Sequence, residues 1–473
     1  MTLQRDLAWQ NIEADYRSSI AHKLARYAVG LSYEMLPQDV VHQAKRCLLD
    51  ALGCAIGAYE APGRPICEEA VKEIGGRQEA TLFGSGLRTN ALNATLYNGF
   101  LIRFLDYNDL GGGGHNSDAI SSLLAISERE KAKGRDLLTS LVISYELGQR
   151  VIESAKGLEW EENGWCFDIR GGLSMPPSLG KLMGLNEEQI ANAIGLCASH
   201  SNPLGILDAN LEENSMGKNL RFCLVAYQAI LACILAKKGF TGPIRVVEGD
   251  SGLRQAVFRG DMDLERLIEF SGWRILKTRH KVLCTNGTNS GTVLATLAIV
   301  KENDLKPEDI LSVRIKATPR QAAHTITHGK KYPRNAESAD HSTFYANAFA
   351  IKERSFGPES IQPENFTDPV ILDLIEKITV EPDSSLSGYN AISEITTKAG
   401  LRFEKRIDTP HGLGNDPLTD GELEKKFTDM AIKYMDEKQI KKIFDTVWNT
   451  EKLDDMGKLI TLMTFPSRVE PQP

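Results

Sequence analysis

The chain has 473 residues, of which 42% are hydrophobic and 25% charged, and its formal net charge at pH 7 is −8. This length predicts more than one domain, and the composition is that of an ordinary globular protein. The acidic balance excludes the broad basic surface that nucleic-acid binding requires. No stretch reaches the roughly 20 apolar residues that span a bilayer, and the N-terminus lacks the apolar segment of a signal peptide.

The eight cysteines form no CxxC pair, and most of them lie in apolar segments with helical periodicity. This spacing favours buried free thiols over a disulfide framework. We therefore expect a cytoplasmic protein in a reducing compartment, with neither a membrane nor a nucleic acid as its partner.

Residues 18 to about 270 predict one helix after another. In DVVHQAKRCLLDALGCAIGA, apolar residues recur three or four apart and form one stripe, namely Val41, Ala44, Leu48, Leu52 and Ala55. Three later segments are apolar on nearly all sides and predict helices buried in a helical core. They are residues 136–155, 186–200 and 220–240.

The pattern changes after Trp273. In ILSVRIKATP, the alternation of Leu311, Val313 and Ile315 predicts a half-buried strand. Residues 391–408 predict two strands joined at 398–400. Helical segments at 340–353 and 368–378 lie between these strands.

From residue 417 onward the chain again predicts helices, and Thr419 with Glu422 predicts a capping box. The simplest architecture is mainly α. A large all-helical domain is built from both chain ends, residues 1–272 and 413–473, and residues 273–412 form a smaller inserted α+β lid domain.

The stretch LDYNDLGGGGHNSDAI, residues 105–120, follows a predicted helix and concentrates acids, glycines and a histidine. A phosphate cradle is disfavoured, because a helix precedes the glycines and the spacing matches neither GxGxxG nor GxxxxGK[ST]. Asp106, Asp109, His115 and Asp118 could form a metal site, but no second histidine-rich segment supports one.

Acid/base chemistry is the third interpretation of this stretch. Glycines let the backbone come close to a ligand, and Asp106 with His115 would supply two titratable groups. The alternative is that the acids terminate the helix and His115 is an ordinary loop residue. The residues alone leave these two interpretations open.

Two further segments carry candidate side chains. Lys218, in EENSMGKNLRF, could hold a carboxylate as a point charge, or it could be a solvated lysine at a helix start. In ADHSTFYANAFAI, His341 and Tyr345 are predicted on one helical face, one turn apart. Tyr345 could donate a proton or orient a substrate oxygen, or it could be a core tyrosine.

Five motifs, in this order, resemble the MmgE/PrpD family over nearly the whole chain. NGFLIRFLDYNDLGGGGHNSDA resembles the family's NG-x-x-x-x-x-LDFDDT…GHPS, and SMGKNLRF lies where the family has a lysine-bearing stretch. KKGFTGPIRVVEGDSGL resembles GFTGP…LEGxxGF, and ADHSTFYANAFAI resembles the helix RHS-x-x-Y-x-x-A. DPLTDGELEKKF resembles PL-x-x-x-x-L-x-x-KF.

The resemblance implies a cleft between a helical domain and a lid, in an enzyme that needs no cofactor and no metal and is usually a homodimer. It places the family's active-site aspartate and histidine on Asp106 and His115. It places the family's lysines on Lys218 and Lys281, and the lid tyrosine on Tyr345.

The chain departs from the family at two places. Cys166 stands where many members have a histidine, and the loop after Lys281, KVLCTNGTNSGT, lacks the usual lid histidine. His280 is a possible substitute for it. The resemblance implies a substrate site lined by donors in this loop and nearby, namely Asn286, Asn289, Ser290, Cys166 and His341.

The family's reactions make or quench a carbanion-like centre beside a carboxylate. We therefore expect a hydro-lyase acting on a small di- or tricarboxylate such as 2-methylcitrate. The alternatives are an epimerase or decarboxylase on a related acid, and a non-catalytic protein that binds carboxylates.

Overall fold

The computed structural model describes residues 16–112, 114–155, 164–208, 212–324 and 328–465. The fold is mainly α, with a small α+β part, as predicted. The helices before residue 273 are α1 (Ile20–Gly30), α2 (Gln38–Gly57), α3 (Gly63–Ile74), α4 (Ala91–Phe104), α5 (Ile120–Arg129), α6 (Gly134–Ser154), α7 (Gly171–Leu182), α8 (Glu187–His200), α9 (Arg221–Lys237), α10 (Leu253–Ala256) and α11 (Leu264–Ile268). Those after it are α12 (Ser290–Glu302), α13 (Pro319–His324), α14 (His328–Lys331), α15 (Ala336–Ala339), α16 (Thr343–Glu353), α17 (Pro369–Lys377), α18 (Asp420–Ala431), α19 (Glu437–Trp448) and α20 (Gly457–Leu462).

The strands are short and few. They are β1 (Ala80–Thr81), β2 (Arg88–Thr89), β3 (Ile310–Ala317), β4 (Ile378–Pro382), β5 (Ala391–Thr397) and β6 (Arg402–Ile407). The first two pair with each other, and the other four form one sheet in the order β4-β3-β5-β6. Only the β3–β4 pair is parallel, because α17 carries the chain back across the sheet.

The predicted apolar stripe of α2 is confirmed, because all five of its residues are buried. The prediction for 220–240 is wrong in one respect. On α9, Leu224 is 46% and Leu231 38% exposed, so one face of this helix is not covered by the chain itself.

Residues 216–237 are long and apolar enough to cross a membrane by length and composition, contrary to the expectation from the sequence. Some 61% of the apolar window in this segment is buried inside the protein, as in a core helix. All eight cysteines lie in the described parts of the chain, where they are buried and free, as predicted.

The C-terminal helix α18 packs on the N-terminal helix α2, where Phe427 and Met430 contact Gly53. The predicted capping box at Thr419 and Glu422 begins α18. Both chain ends therefore contribute to one helical body, while the expected domain boundaries at 272 and 413 stay predictions.

The sheet confirms the predicted hairpin of β5 and β6 but corrects the register of β3. Leu311 is 55% exposed, whereas Ile310, Val313 and Ile315 are buried. The pairing of β3 with β5 shifts between Ile310 and Ser312. Such an irregularity moves one residue to the other face of the strand.

Candidate active site

The chain leaves α4 through Asp106, a residue in the left-handed region with φ of 44°. The amide of Asp106 donates to the carbonyl of Arg103 at 3.1 Å. Four residues later, the backbones of Leu110 and Arg279 pair with each other at 2.8 Å in both directions. The turn and this bridge bring Asp106 close to the segment that contains Lys281.

Among the described glycines of this stretch, Gly111 and Gly114 support the site rather than cradle a phosphate. Gly111 and Gly114 hydrogen-bond to each other at 2.9 and 3.2 Å, so their backbone groups are used inside the loop. A Cβ on Gly114 would lie 1.6 Å from Nη1 of Arg170. Arg170 donates to the carbonyl of His115 at 2.8 Å. The absence of a side chain at Gly114 thus lets Arg170 hold His115 in place.

The buried Asp106 carboxylate is surrounded by cations. Its Oδ1 lies 2.5 Å from Nζ of Lys281 and 2.9 Å from Nη1 of Arg103, and its Oδ2 lies 3.5 Å from Nζ of Lys218. Burial opposes ionisation, but Arg103, Lys281 and Lys218 together hold the pKa of Asp106 well below its usual range. Asp106 is therefore a fixed negative charge at the centre of the cluster.

His115 has the geometry of a general base. Its Nδ1 lies 2.6 Å from the carbonyl oxygen of Asp109, which can only accept, so Nδ1 carries the proton. Its Nε2 lies 3.3 Å from Oδ1 of Asp106. Burial, followed by the charges of Arg103 and Lys281, holds the pKa of His115 well below its usual range. The neutral ring therefore presents a lone pair beside Asp106.

The predicted lysine Lys281 is fully buried and donates to the Thr285 carbonyl at 3.0 Å as well as to Asp106. Burial lowers the pKa of Lys281, and the attraction of Asp106 only partly opposes this shift. Its ammonium group consequently gives up a proton more readily than that of an exposed lysine.

Lys218 and His341 meet at the other side of Asp106. Nζ of Lys218 lies 2.5 Å from Oδ2 of Asp340 and 3.2 Å from Nδ1 of His341. His341 lies between two carboxylates, with Nδ1 2.5 Å from Asp340 and Nε2 3.3 Å from Asp208. The alternative of a solvated Lys218 is wrong, since this side chain is fully buried.

Asp106, Asp340 and His341 lie close enough to share a metal ion. The Lys218 ammonium, however, lies within 3.5 Å of all three side chains and occupies the space between them. The metal set considered from the sequence does not converge, because the Asp109 carboxylate instead accepts from Ser117 and Tyr145, at 2.6 Å each.

Several charged residues of the site were missed by reasoning from the sequence. Arg221 pairs with Asp168 at 2.6 Å and also with Asp208. Asp118, named above only as a candidate metal ligand, has its pKa raised to about 7 by burial and then by the charge of Asp168, although Arg103 opposes this. Charged residues inside apolar helical segments, such as the arginine in NGFLIRFLD, were the available signal. The others missed are Arg170, Lys330 and Asp340.

Of the predicted residues after position 273, Tyr345 lies outside the cluster. The Tyr345 hydroxyl donates to the carbonyl of Ser360, and its ring packs against Phe366. Tyr345 is thus the core tyrosine of the alternative interpretation. His341 does not share a helical face with it, because α16 begins only at Thr343, after the N-cap Ser342.

The polar loop after Lys281 organises the backbone more than it lines a site. The Asn286 amide donates to the Asp340 carbonyl at 2.9 Å, and its side chain caps a short helix at Thr288. The Asn289 side-chain oxygen accepts from Thr343 at 2.7 Å. Ser290 is buried at the start of α12. Of these three residues, Asn286 is the one that contacts the Asp340 backbone.

Cys166 and His280 do not replace the missing histidines. Burial raises the pKa of Cys166 to about 12, so this thiol stays protonated. His280 points away from the cluster, with Nδ1 3.5 Å from the buried Asp50. Asp50 also pairs with Lys426 at 2.7 Å. We call Asp50, Lys426 and His280 the rear cluster, and the groups around Asp106 the front cluster.

Sequence profiles of the MmgE/PrpD N-terminal and C-terminal domains match residues 22–265 and 290–450. The chain is 24% identical to cis-aconitate decarboxylase of Homo sapiens over 472 residues, which cover 96% of both chains.

Two other relatives carry different names. Identity to alkylcitrate dehydratase phiI of a fungal species is 26% over 469 residues, covering 91% of this chain and 90% of the relative. Identity to 2-methylcitrate dehydratase of Salmonella typhimurium is 29% over 181 residues, covering 35% and 37%. Both domain profiles match, and they do so in the order N-terminal then C-terminal domain along the chain. The chain therefore belongs to the MmgE/PrpD family.

Proposed function

We propose that this protein is a cofactor-independent lyase that removes water from a small di- or tricarboxylate such as 2-methylcitrate. The observation that carries the proposal is the placement of His115, whose Nδ1 lies 2.6 Å from the Asp109 carbonyl oxygen and whose Nε2 lies 3.3 Å from Oδ1 of Asp106. A base fixed in this way, with ammonium groups around it, is what proton removal next to a carboxylate requires.

In the proposed reaction, Nε2 of His115 takes the proton from the carbon next to a substrate carboxylate. The electron pair of that C–H bond forms the carbon–carbon double bond as the neighbouring C–O bond breaks. Lys281 transfers a proton to the departing hydroxyl, which leaves as water. Lys218 neutralises the charge that develops on the carboxylate.

Substrate access requires a movement of the insert. Lys218 and Lys281 are fully buried, and Asp340 on the insert closes directly on Lys218. We propose that the segment carrying Asp340 and His341 separates from Asp106 and His115 to admit substrate, and then closes to exclude water.

Decarboxylation is the second candidate, because the relative covered along 96% of both chains is a cis-aconitate decarboxylase. There the C–C bond to the departing carboxylate breaks, carbon dioxide leaves, and a protonated group of the front cluster returns a proton to carbon. Epimerisation would need removal and return of one proton only. A non-catalytic protein that binds carboxylates is the alternative of another class.

The test is proton NMR in D2O with 2-methylcitrate, citrate, cis-aconitate and iminodisuccinate. Loss of water together with deuterium exchange at the α-carbon supports the dehydratase, and loss of carbon dioxide supports the second candidate. Tight binding without turnover or exchange would contradict both reactions and favour the binding protein.

We further propose that the protein is a cytoplasmic homodimer. The exposed Leu224 and Leu231, on a helix that is otherwise largely buried, support a partner surface on α9. Sedimentation velocity of the purified protein tests the oligomeric state.

A further inference from the structure

Lys426 holds the residue that follows the central aspartate. This lysine lies in the KF pair of the C-terminal motif and is only 6% exposed. Its Nζ donates to the Tyr107 carbonyl and to Oδ1 of Asp50, at 2.7 Å each. The same nitrogen lies 3.8 Å from the centre of the Tyr107 ring. Tyr107 is thus held at its backbone and its ring by one side chain.

The turn that Tyr107 completes is not self-sustaining. Asp106 adopts a left-handed conformation, which is unfavourable for a residue with a side chain and persists only when its surroundings impose it. The far end of Tyr107 is fixed as well, because its hydroxyl donates to the Val282 carbonyl at 3.2 Å. Tyr107 follows Asp106 in the chain, and Val282 follows Lys281. Tyr107 therefore links the residues next to the two members of the Asp106–Lys281 pair.

Asp50 reaches the same pair from the other direction. Its Oδ1 holds Lys426, and its Oδ2 lies 3.5 Å from His280, which precedes Lys281. The pKa of Asp50 is lowered to about 2, because Lys426 and His280 outweigh its burial. The pKa of Lys426 is raised, since the attraction of Asp50 outweighs burial. Both charges therefore persist across the working pH range.

We propose that Lys426, fixed by Asp50, is a positioning residue for the reaction. It holds the Tyr107 carbonyl and so imposes the turn that presents the Asp106 carboxylate to His115 and Lys281. Lys426 does not touch the reacting atoms, and the inference rests on the proposed function.

The experiment compares Lys426→Met, Lys426→Arg and the control Lys425→Met. Lys425 is the neighbouring residue on α18, is exposed, and pairs only with Asp429 among the residues described. We expect Lys426→Met to lower kcat by about 100-fold, the loss typical of a displacement of about 1 Å. KM should change by less than about threefold, because the substrate-holding Lys218 is untouched. Lys426→Arg should recover at least roughly tenfold, and the control should match wild type.

An activity-independent readout separates this inference from the proposed function. In protein carrying 13C-labelled histidine, the Cε1–H resonance of His115 reports the nearby Asp106 charge. We expect it to shift in Lys426→Met and to stay in place in Lys425→Met. A wild type that is inactive on every acid would contradict the proposed function, while the His115 resonance would still decide the positioning role.

A Lys426→Met protein that folds with normal kcat and an unshifted His115 resonance would overturn the proposal. If Lys426→Met does not fold, the double variant Asp50→Asn with Lys426→Met, which removes both buried charges, is tested in its place. The double variant should show the same loss of kcat, and normal kcat in it would equally overturn the proposal.

Discussion

The front and rear clusters contain the same residue types in different arrangements. Each has a buried aspartate, a lysine and a histidine. In the front cluster, Lys281 shares Asp106 with Arg103 and Lys218, and its pKa is lowered. In the rear cluster, Lys426 is the cation nearest Asp50, and its pKa is raised. Burial lowers the pKa of both lysines. The attraction of the shared Asp106 only partly offsets this for Lys281, whereas the attraction of Asp50 outweighs it for Lys426.

The histidines differ in the same way. His115 is oriented by the Asp109 carbonyl and turns Nε2 toward Asp106. Neither ring nitrogen of His280 has a hydrogen-bond partner among the residues described, and its closest carboxylate oxygen is 3.5 Å away. The two clusters therefore match in residue types and differ in the orientation of their side chains.

The largest expected effect separates the two histidines. Replacing His115 with Asn should lower kcat by about 10²- to 10⁴-fold, because the base is lost. The matched variant His280→Asn should lower kcat far less, because neither ring nitrogen of His280 has a hydrogen-bond partner among the residues described. Steady-state kinetics with the substrate found by NMR, together with thermal unfolding of both variants, checks this. Full activity of folded His115→Asn would show that His115 is not the base and that the two histidines do not differ in function.

His115 and Lys281 should set the acidic and the basic limb of the pH profile of kcat/KM. Because the pKa of His115 is well below 6.5, the base stays neutral and the acidic limb should lie below pH 6.5. Activity should fall as pH rises through the lowered pKa of Lys281, below its ordinary 10.5.

Lys281→Arg should lower the rate, and it should move the basic limb to higher pH because arginine keeps its proton. The control is Lys425→Arg, which should leave both limbs in place. An unmoved basic limb in Lys281→Arg would show that another group is the acid.

A smaller effect is expected at Asp340, whose carboxylate neutralises Lys218 in the front cluster. Asp340→Asn should raise kcat/KM for citrate relative to 2-methylmalate by up to roughly tenfold. Citrate has one carboxylate more, and the variant no longer repels that group with the Asp340 charge. The control is Asp373→Asn on α17, which removes an exposed carboxylate paired with Lys377. A ratio that is equal in all three proteins would mean that Asp340 does not face the substrate.

The smallest effect on catalysis is expected at the surface of α9. Both clusters are built from one chain, so separating a dimer should leave kcat within a few-fold. Leu224→Glu with Leu231→Glu should shift the sedimentation coefficient to that of a monomer. Leu401→Glu, at another exposed leucine, should not. A large loss of activity in the α9 variant would mean that a partner chain completes the site.

Local patterns were enough to predict much of the fold. Apolar periodicity identified α2, and Thr419 with Glu422 identified the start of α18. The two strands predicted on either side of 398–400 form the β5–β6 hairpin. Register was less secure, because one irregularity in β3 reversed the side of the strand on which Leu311 lies.

The candidate site was predictable only where a motif carried it. Asp106, His115, Lys218 and Lys281 are brought together as the resemblance implies. For Tyr345 the residues left two interpretations open, and the one-turn spacing does not reveal that its hydroxyl donates to the Ser360 carbonyl. Asp340 and Lys426 were missed, since each acquires its role from a residue distant in the chain. Arg103 was missed although its partner Asp106 is only three residues away.

The sequence by itself determined the helical character of this protein, its family, and that Asp106, His115, Lys218 and Lys281 belong together, because these depend on local periodicity and short motifs. The tertiary structure decided that the pKa of Lys281 is lowered and that of Lys426 is raised. That difference depends on burial and on how many cations share a carboxylate. Asp50 and Lys426 are 376 residues apart and meet only after folding.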